Sequence, residues 1–70
     1  MNLTNEELTA LQQIAAKYGK RVLVTRTQVG IGPSGVVAFD VVYTHGAKRP
    51  WQLRDRKHAG LKMEMAGILN

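Results

Sequence analysis

RVLVTRTQVGIGPSGVVAFDVVYT, residues 21–44, carries the strongest structural signal in this chain of 70 residues. Its first part, Arg21 to Val29, is rich in β-branched residues, which favour a strand. Residues 30–35 are mostly turn formers and predict a loop. From Val36 to Thr44 apolar side chains recur at every second position, which predicts the partner strand of an antiparallel hairpin. The side chains predicted to share one face of this strand are Val37, Phe39, Val41 and Tyr43.

The segment before this hairpin predicts an amphipathic helix with a defined start and end. Thr4 can cap the helix, and Glu7 stands three residues later, as a capping box requires. Gly19 is the natural stop. The apolar stripe consists of Leu8, Leu11, Ile14 or Ala15, and Tyr18.

The segment after the hairpin predicts a short strand and a second helix. Trp51 and Leu53 alternate with polar residues after Pro50, which indicates an edge strand. Asp55 can cap a helix that runs from Arg56 to Leu69. The whole chain, residues 1–70, is therefore predicted to be one α+β domain of order α-β-β-β-α, with two helices packed on one face of a three-stranded antiparallel sheet.

Composition narrows the function classes. Ten Lys and Arg residues oppose five Asp and Glu residues, so the net charge is +5 and a polyanion is the first partner to consider. The absence of cysteine excludes disulfides, and two histidines without cysteine disfavour a structural zinc site. No apolar run has the roughly 20 residues of a membrane span, so a cytoplasmic location and no membrane partner are the default expectations.

The sequence offers little for catalysis. Residues 30–35 match GxGxxG, but a strand rather than a helix is predicted to follow them, which disfavours a dinucleotide site. Ser34 is the only serine, and its spacing from His45 and His58 indicates no triad. We predict no enzyme activity and no cofactor. Three carboxylates are interpreted as a solvated strand residue, a helix cap and a helix surface charge, namely Asp40, Asp55 and Glu64.

The predicted second helix begins with cations, which is unfavourable at the positive end of the helix dipole. Arg56 and Lys57 would compensate this cost by holding a phosphate against the free N–H groups of the first turn, with Lys62 further along the helix. The alternative is that Asp55 alone compensates the two charges. The sequence therefore predicts either a phosphate clamp or a neutralised helix start.

Four local motifs, in this order, resemble those of the double-stranded RNA-binding domain. Leu11-Gln12-Gln13 is similar to the Leu-x-Glu of that family's first helix, and Gly19 to its closing glycine. Residues 32–35, Gly-Pro-Ser-Gly, followed by Phe39, resemble its Gly-Pro-x-His loop and following core Phe. Residues 56–59, Arg-Lys-His-Ala, resemble the start of its Lys-Lys-x-Ala-Lys helix. The family's length and element order match the whole chain.

The resemblance implies a role for each motif in recognising A-form RNA. Gln12 and Gln13 would contact one minor groove, and the loop of Pro33, Ser34 and Gly35 would enter the next. Arg56 and Lys57 would bridge phosphates across the intervening major groove, and Lys62 would add charge nearby. The complete set of RNA-binding residues that we predict is Gln12, Gln13, Pro33, Ser34, Gly35, Arg56, Lys57 and Lys62.

Three positions depart from the family's pattern. Gly35 stands where the family has the minor-groove His, Val37 where it has Pro, and Gly60 where it has a third basic residue. At about 1 kcal/mol for each missing contact, the affinity for a duplex would fall by a factor of about a hundred or more.

Alternatives to a non-catalytic binder of double-stranded RNA remain open at this point. The main one is a protein-interaction module of the same fold, such as a small inhibitor or adaptor of a host enzyme or ribonucleoprotein, as in phages and mobile elements. Trp51, Met63 and Met65 would serve such an interface, although a core role is the simpler interpretation of both methionines. A DNA-binding module ranks third, and a homodimer is compatible with the sequence.

Overall fold

The computed structural model describes residues 2–33 and 39–70, and within them it shows two helices and an antiparallel sheet of four strands. The elements in chain order are α1 (Asn5–Lys17), β1 (Arg21–Val24), β2 (Gln28–Gly32), β3 (Val41–Thr44), β4 (Trp51–Leu53), a 3-10 turn (Arg56–His58) and α2 (Ala59–Leu69). The strands lie side by side in the order β1-β2-β3-β4. The predicted α+β class is confirmed, whereas the predicted number of three strands is wrong.

The extra strand arises because the predicted strand Arg21–Val29 turns back on itself. Thr25 N donates to Gln28 O at 2.8 Å, and Gln28 N donates to the Thr25 hydroxyl at 3.1 Å. A threonine side chain thus closes a tight turn that contains no glycine, proline, asparagine or aspartate. The result is a hairpin in which β1 pairs with β2, with Arg21 opposite Gly32.

Residues 30–32, which were predicted as part of a loop, belong to β2. Ile31 is fully buried and lies opposite Val41 of β3. Gly30 lies on the other face of the sheet, where the ring of Phe39 covers it so closely that an added Cβ would lie 2.8 Å from the ring. Gly30 therefore leaves room for the side chain of Phe39, and such close approach is one reason why glycine occurs within strands.

Phe39 does not share a face with Val41 and Tyr43, contrary to the prediction. Its ring lies against Gly30, half-buried, whereas Val41 and Tyr43 belong to the core between sheet and helices. The regular strand begins only at Val41, after an irregular step at Phe39 and Asp40, and this step shifts the alternation. The predicted strand residues 36–38, with Val37 among them, lie outside the described residues.

Helix α1 confirms its predicted capping. Thr4 accepts a hydrogen bond from Glu7 N at 3.1 Å, and the Glu7 carboxylate accepts one from Thr4 N at 2.9 Å. After the helix, Gly19 adopts a left-handed φ of +68°, which explains why a glycine closes it.

One core joins both helices to one face of the sheet. Its buried members are Leu11, Ala15, Val29, Ile31, Val41, Tyr43, Leu61 and Met65. The strand residues among them are cross-strand neighbours, because Val29 lies opposite Tyr43 and Ile31 opposite Val41. Of the helices in the described part of the chain, none is long and apolar enough to cross a membrane.

The second helix starts later than predicted. The segment Arg56–His58 forms a 3-10 turn, and α2 begins at Ala59 instead of Arg56. The reason is the predicted cap, because the Asp55 side chain accepts a hydrogen bond from Lys57 N, only two residues ahead, at 3.0 Å. This short-range bond tightens the first turn. Two of the predicted clamp residues thus lie on a tight turn at the entry to α2.

Candidate nucleic-acid interface

Basic residues gather at one end of the sheet, where β1 and β3 begin and β2 and β4 end. The antiparallel pairing brings these segments together, and Arg21, for example, lies opposite Gly32. We call this region the cationic end. Its basic members are Lys20, Arg21, Arg54, Arg56 and Lys57. The carboxylates on the same described segments are Asp40 and Asp55.

Asp40 is the centre of an ion-pair cluster and not a solvated strand residue, which corrects the interpretation from sequence. Only 7% of its surface is exposed. Its carboxylate accepts a hydrogen bond from Lys20 Nζ at 2.6 Å and lies 3.7 Å from Arg54 Nη1. Its backbone continues the sheet, because Asp40 N donates to Ile31 O and Arg54 N donates to Asp40 O, both at 2.8 Å. Asp40 therefore fixes where two cations of this end lie.

The charges around Asp40 also set its protonation. The hydrogen bond from Lys20 is the largest cause that holds the pKa of Asp40 below its ordinary value, and the positive charges of Lys20 and Arg54 act in the same direction. Partial burial opposes this shift, since it disfavours the charged form. Asp40 is consequently ionised at neutral pH and neutralises part of the basic charge at this end.

His58 anchors the basic turn to the body of the protein. It is 5% exposed, and its Nε2 lies 3.6 Å from Asp55 Oδ1 and 3.9 Å from Asp40 Oδ1. This Nε2 is buried and has no hydrogen-bond partner among the described residues. Because the His58 ring is buried, the preceding Arg56 and Lys57 are left on the outside of the turn, where both are exposed.

Arg56 and Lys57 differ in how far Asp55 neutralises them. Asp55 caps the turn, as predicted, and its Oδ2 lies 3.8 Å from Lys57 Nζ. Arg56 forms no ion pair within the described part of the chain. Asp55 therefore forms an ion pair with Lys57 but not with Arg56. Lys62 lies on α2, half-buried, and no hydrogen bond or ion pair between described residues joins it to Arg56 or Lys57.

The two predicted glutamines both lie on the exposed side of α1, but they point to different places. Gln12 lines a shallow depression together with Lys20, Arg21 and Val22, so it adjoins the cationic end. Gln13 lines a separate depression with α1 residues, among them Thr9. The structure thus brings Gln12, but not Gln13, next to the basic residues.

The predicted loop begins at the cationic end. Pro33 is exposed and directly follows Gly32, the residue that pairs with Arg21. Ser34 and Gly35 lie outside the described residues. Of the three loop residues predicted to contact RNA, Pro33 is therefore the one that the structure describes. It lies beside the start of β1, at the cationic end.

Glu64 ties the two helices together and is not merely a surface charge of α2. It accepts hydrogen bonds from Lys17 Nζ and from the Tyr18 hydroxyl, the latter at 2.5 Å. The Lys17 hydrogen bond is the largest cause that lowers the pKa of Glu64, and the bond to Glu64 raises the pKa of Tyr18. This link fixes α1, the helix that carries Gln12, relative to α2.

Sequence reasoning missed Lys20 and Arg21 as members of the basic surface. Both precede Arg54 by some thirty residues, and only the strand pairing brings the three together. No local pattern in the sequence marks the proximity of Arg54 to Lys20. The detectable signal was the position of each residue at the end of a predicted strand.

Acid is expected to destabilise the fold through Asp40 and Glu64. Both pKa values lie lower in the folded protein than their ordinary values of 3.8 and 4.5, so the unfolded chain binds protons first. Their stabilisation is complete above those ordinary values and is lost as the pH falls through the lower folded pKa. Melting temperatures measured by circular dichroism from pH 7 to pH 2 should therefore drop steeply below about pH 4.

Two substitutions distinguish the contribution of Asp40 to acid destabilisation from that of other carboxylates. Asp40→Asn should lower the melting temperature at pH 7 and flatten its decline in acid, because the group that titrates is gone. Glu64→Gln should also lower the melting temperature at pH 7, but it should keep the part of the acid decline that Asp40 causes. An Asp40→Asn curve that runs parallel to the unmodified one would contradict the assignment.

Comparisons of the chain with protein-family models, with curated proteins and with solved structures give no match. Function is therefore inferred from the arrangement of this chain's own residues.

Proposed function

We propose that this protein is a cytoplasmic, non-catalytic binder of double-stranded RNA that recognises A-form shape and phosphates with little sequence specificity. The observation that carries the proposal is the cationic end, where five basic residues surround two carboxylates that already serve internal roles. Asp40 holds Lys20, and Asp55 caps the 3-10 turn. The remaining positive charge faces solvent, where it can replace the counterions of a nucleic acid.

The neighbours of these charges favour a duplex with exposed hydroxyls. Gln12 shares a depression with Arg21, and Pro33 directly follows the residue opposite Arg21. Uncharged amide groups beside cations suit a minor groove lined with 2′-hydroxyls next to phosphates. Arg56 and Lys57, on a turn that His58 anchors, supply phosphate contacts that need little further ordering.

The strand β1 changes one expectation from the resemblance to the double-stranded RNA-binding domain. The extra strand, Arg21–Val24, and the three-residue turn after it lie between α1 and β2, in addition to residues 18–20. Gln13 lies away from the cationic end, so we propose Gln12 as the contact from this helix and assign Gln13 no contact. Together with the departures at Gly35, Val37 and Gly60, this indicates a weaker binder than a typical member of that family.

A protein-interaction module is the second candidate, and one observation favours it. Leu23 on the edge strand β1 is 51% exposed and Met63 on α2 is 75% exposed. Two of the features expected to serve such an interface are internal instead. Trp51 is half-buried with its ring centroid 4.8 Å from that of Tyr43, and Met65 is a core residue. Tyr18 is also exposed, at 41%, so the large exposed apolar side chains come from three different parts of the chain, which is a weaker basis than the cationic end.

The double variant Arg56→Ala/Lys57→Ala tests the proposal. We expect the dissociation constant for a 20-base-pair RNA duplex to rise roughly tenfold or more near physiological salt, because about two phosphate contacts are lost. The slope of log K against log salt should become shallower by about 2. Fluorescence anisotropy of the labelled duplex measures both quantities, and circular dichroism verifies that the variant is folded.

The charge-matched control for this experiment is Lys48→Ala/Arg49→Ala, which removes two cations far from the cationic end. Its effect on duplex affinity should be smaller than that of Arg56→Ala/Lys57→Ala if position matters more than net charge. Matched DNA and single-stranded RNA serve as ligand controls. Equal affinity for all three nucleic acids, vanishing with salt, would contradict RNA recognition, and a stronger affinity for the DNA duplex would favour a DNA-binding module instead.

A further inference from the structure

The opposite end of the sheet is a second basic surface, built from two turns. Residues 25–27 join β1 to β2, and residues 45–50 join β3 to β4. His45 N donates to Thr27 O at 2.8 Å, so the two turns lie side by side. We call them together the distal turns. Their strongly basic residues are Arg26, Lys48 and Arg49.

The distal turns contain no acidic residue, in contrast to the cationic end. Residues 25–28 read TRTQ and residues 44–50 read THGAKRP, with no aspartate or glutamate in either. Arg26, Lys48 and Arg49 are exposed. Among the described residues, neither Lys48 nor Arg49 forms an ion pair. The positive potential of this surface is therefore not reduced by carboxylates within the turns themselves.

Hydrogen bonds hold both turns in place before any ligand binds. The first turn is closed by the hydrogen bonds between Thr25 and Gln28. In addition, the side-chain amide of Gln28 donates from Nε2 to the Thr44 hydroxyl at 3.2 Å. The second is closed by Thr44 N, which donates to Pro50 O at 2.7 Å, and by Gly46, whose φ of +81° permits the reversal. Cations on backbone that is already ordered lose less conformational entropy on binding.

We propose that the distal turns bind phosphates of a second RNA duplex, so that one molecule of the protein bridges two duplexes. This inference rests on the proposed function, because the cationic end must hold the first duplex. The two surfaces lie at opposite ends of the same strands, in a body of 26 × 25 × 22 Å. A nucleic-acid duplex is stiff over such distances. A duplex that lies across one end, at right angles to the strands, leaves the other end accessible to a second duplex.

The test uses two pools of the same 20-base-pair RNA duplex, one labelled with a donor fluorophore and the other with an acceptor. With the unmodified protein, energy transfer should appear when duplex exceeds protein and should decline when protein exceeds duplex, because each duplex then has its own protein molecule. Light scattering of the protein alone at the same concentration determines whether it is a monomer.

Two charge-matched variants separate the surfaces. Lys48→Ala/Arg49→Ala should weaken the binding of a single labelled duplex less than Arg56→Ala/Lys57→Ala does, while the duplex concentration for half-maximal energy transfer rises roughly tenfold. Arg56→Ala/Lys57→Ala should instead weaken the binding of the single duplex. Both variants lower the net charge from +5 to +3, since each removes two cations.

The outcomes distinguish the two proposals. If the unmodified protein binds a duplex but gives no energy transfer, bridging is refuted and RNA binding stands. Energy transfer that persists in Lys48→Ala/Arg49→Ala places the bridge elsewhere, for example in a protein dimer, and also refutes the inference. If both variants lose single-duplex affinity and energy transfer in the same proportion, the effect comes from net charge alone, and the inference is again refuted. Failure to bind any duplex refutes both proposals.

Discussion

Leu61→Ala is expected to lower the free energy of unfolding by about 2–5 kcal/mol, the range for removing a buried leucine side chain. Leu61 is fully buried in the core that joins α2 to α1 and the sheet. A chain of 70 residues has a total stability of about 4–10 kcal/mol, so this one substitution removes a large fraction of it. Urea denaturation followed by circular dichroism measures the change.

The matched control lies on the same helix. Met63, two residues later, is 75% exposed, so Met63→Ala should change the free energy of unfolding by about 0.5 kcal/mol or less. Leu61 also follows the 3-10 turn closely, so loss of its packing should loosen the turn that carries Arg56 and Lys57. Equal effects of the two substitutions would contradict the assigned core.

Gly30→Ala is expected to lower the free energy of unfolding by about 1–3 kcal/mol, the range for overpacking. The added Cβ would lie 2.8 to 3.0 Å from three ring atoms of Phe39, which is closer than carbon atoms approach without displacement. Gly67→Ala on α2 is the control, since an added Cβ there meets nothing within 4 Å. That control should instead raise stability by about 0.5–1 kcal/mol, as alanine favours a helix interior over glycine.

A double-mutant cycle identifies Phe39 as the cause. In a Phe39→Ala background the ring is absent, and Gly30→Ala should become neutral or stabilising by about 0.4–1 kcal/mol, because it reduces the entropy of the unfolded chain. Gly30 has no positive φ, so alanine adopts its backbone conformation without strain. If the penalty of Gly30→Ala persists without the ring, the close packing of Phe39 is not its source.

Locally encoded parts of the fold were predictable from the sequence. The start of α1 depends on Thr4 and Glu7, which lie three residues apart, and both of its predicted hydrogen bonds are confirmed. Asp55 was predicted to cap the second helix for the same reason, and it caps the 3-10 turn that precedes α2 instead of α2 itself. In each case the interacting groups are separated by three residues or fewer, so the residue types at that short spacing are sufficient to predict the hydrogen bond.

The errors have two physical sources. The turn at residues 25–27 depends on the hydroxyl of Thr25, a β-branched residue that favours strands in general. Gly30 was read as a turn former because its need for close approach is visible only once Phe39 is placed beside it. Both errors arise because threonine and glycine each occur in two structural roles. The residues that surround Thr25 and Gly30 in the folded protein decide which role applies.

The candidate interface was predictable only in part. Arg56 and Lys57 were identified from their place in the first turn of a predicted helix, and the structure places them on an exposed turn. The ion-pair cluster around Asp40 was not foreseen, because Lys20 precedes it by twenty residues and His58 follows it by eighteen. Such contacts depend on strand order, which the erroneous three-strand prediction did not contain.

The strand order also has a consequence for the speed and order of folding. Every strand pairs with its neighbour in the chain, across connections of 3, 8 and 6 residues (25–27, 33–40 and 45–50). Closing such short loops costs little entropy, so the sheet can form early. The link from Tyr18 to Glu64 spans 46 residues and closes only when the two ends of the chain meet. We therefore expect the docking of α1 against α2 to be the late step, which makes the packing between these helices the part of the fold whose loss mainly accelerates unfolding.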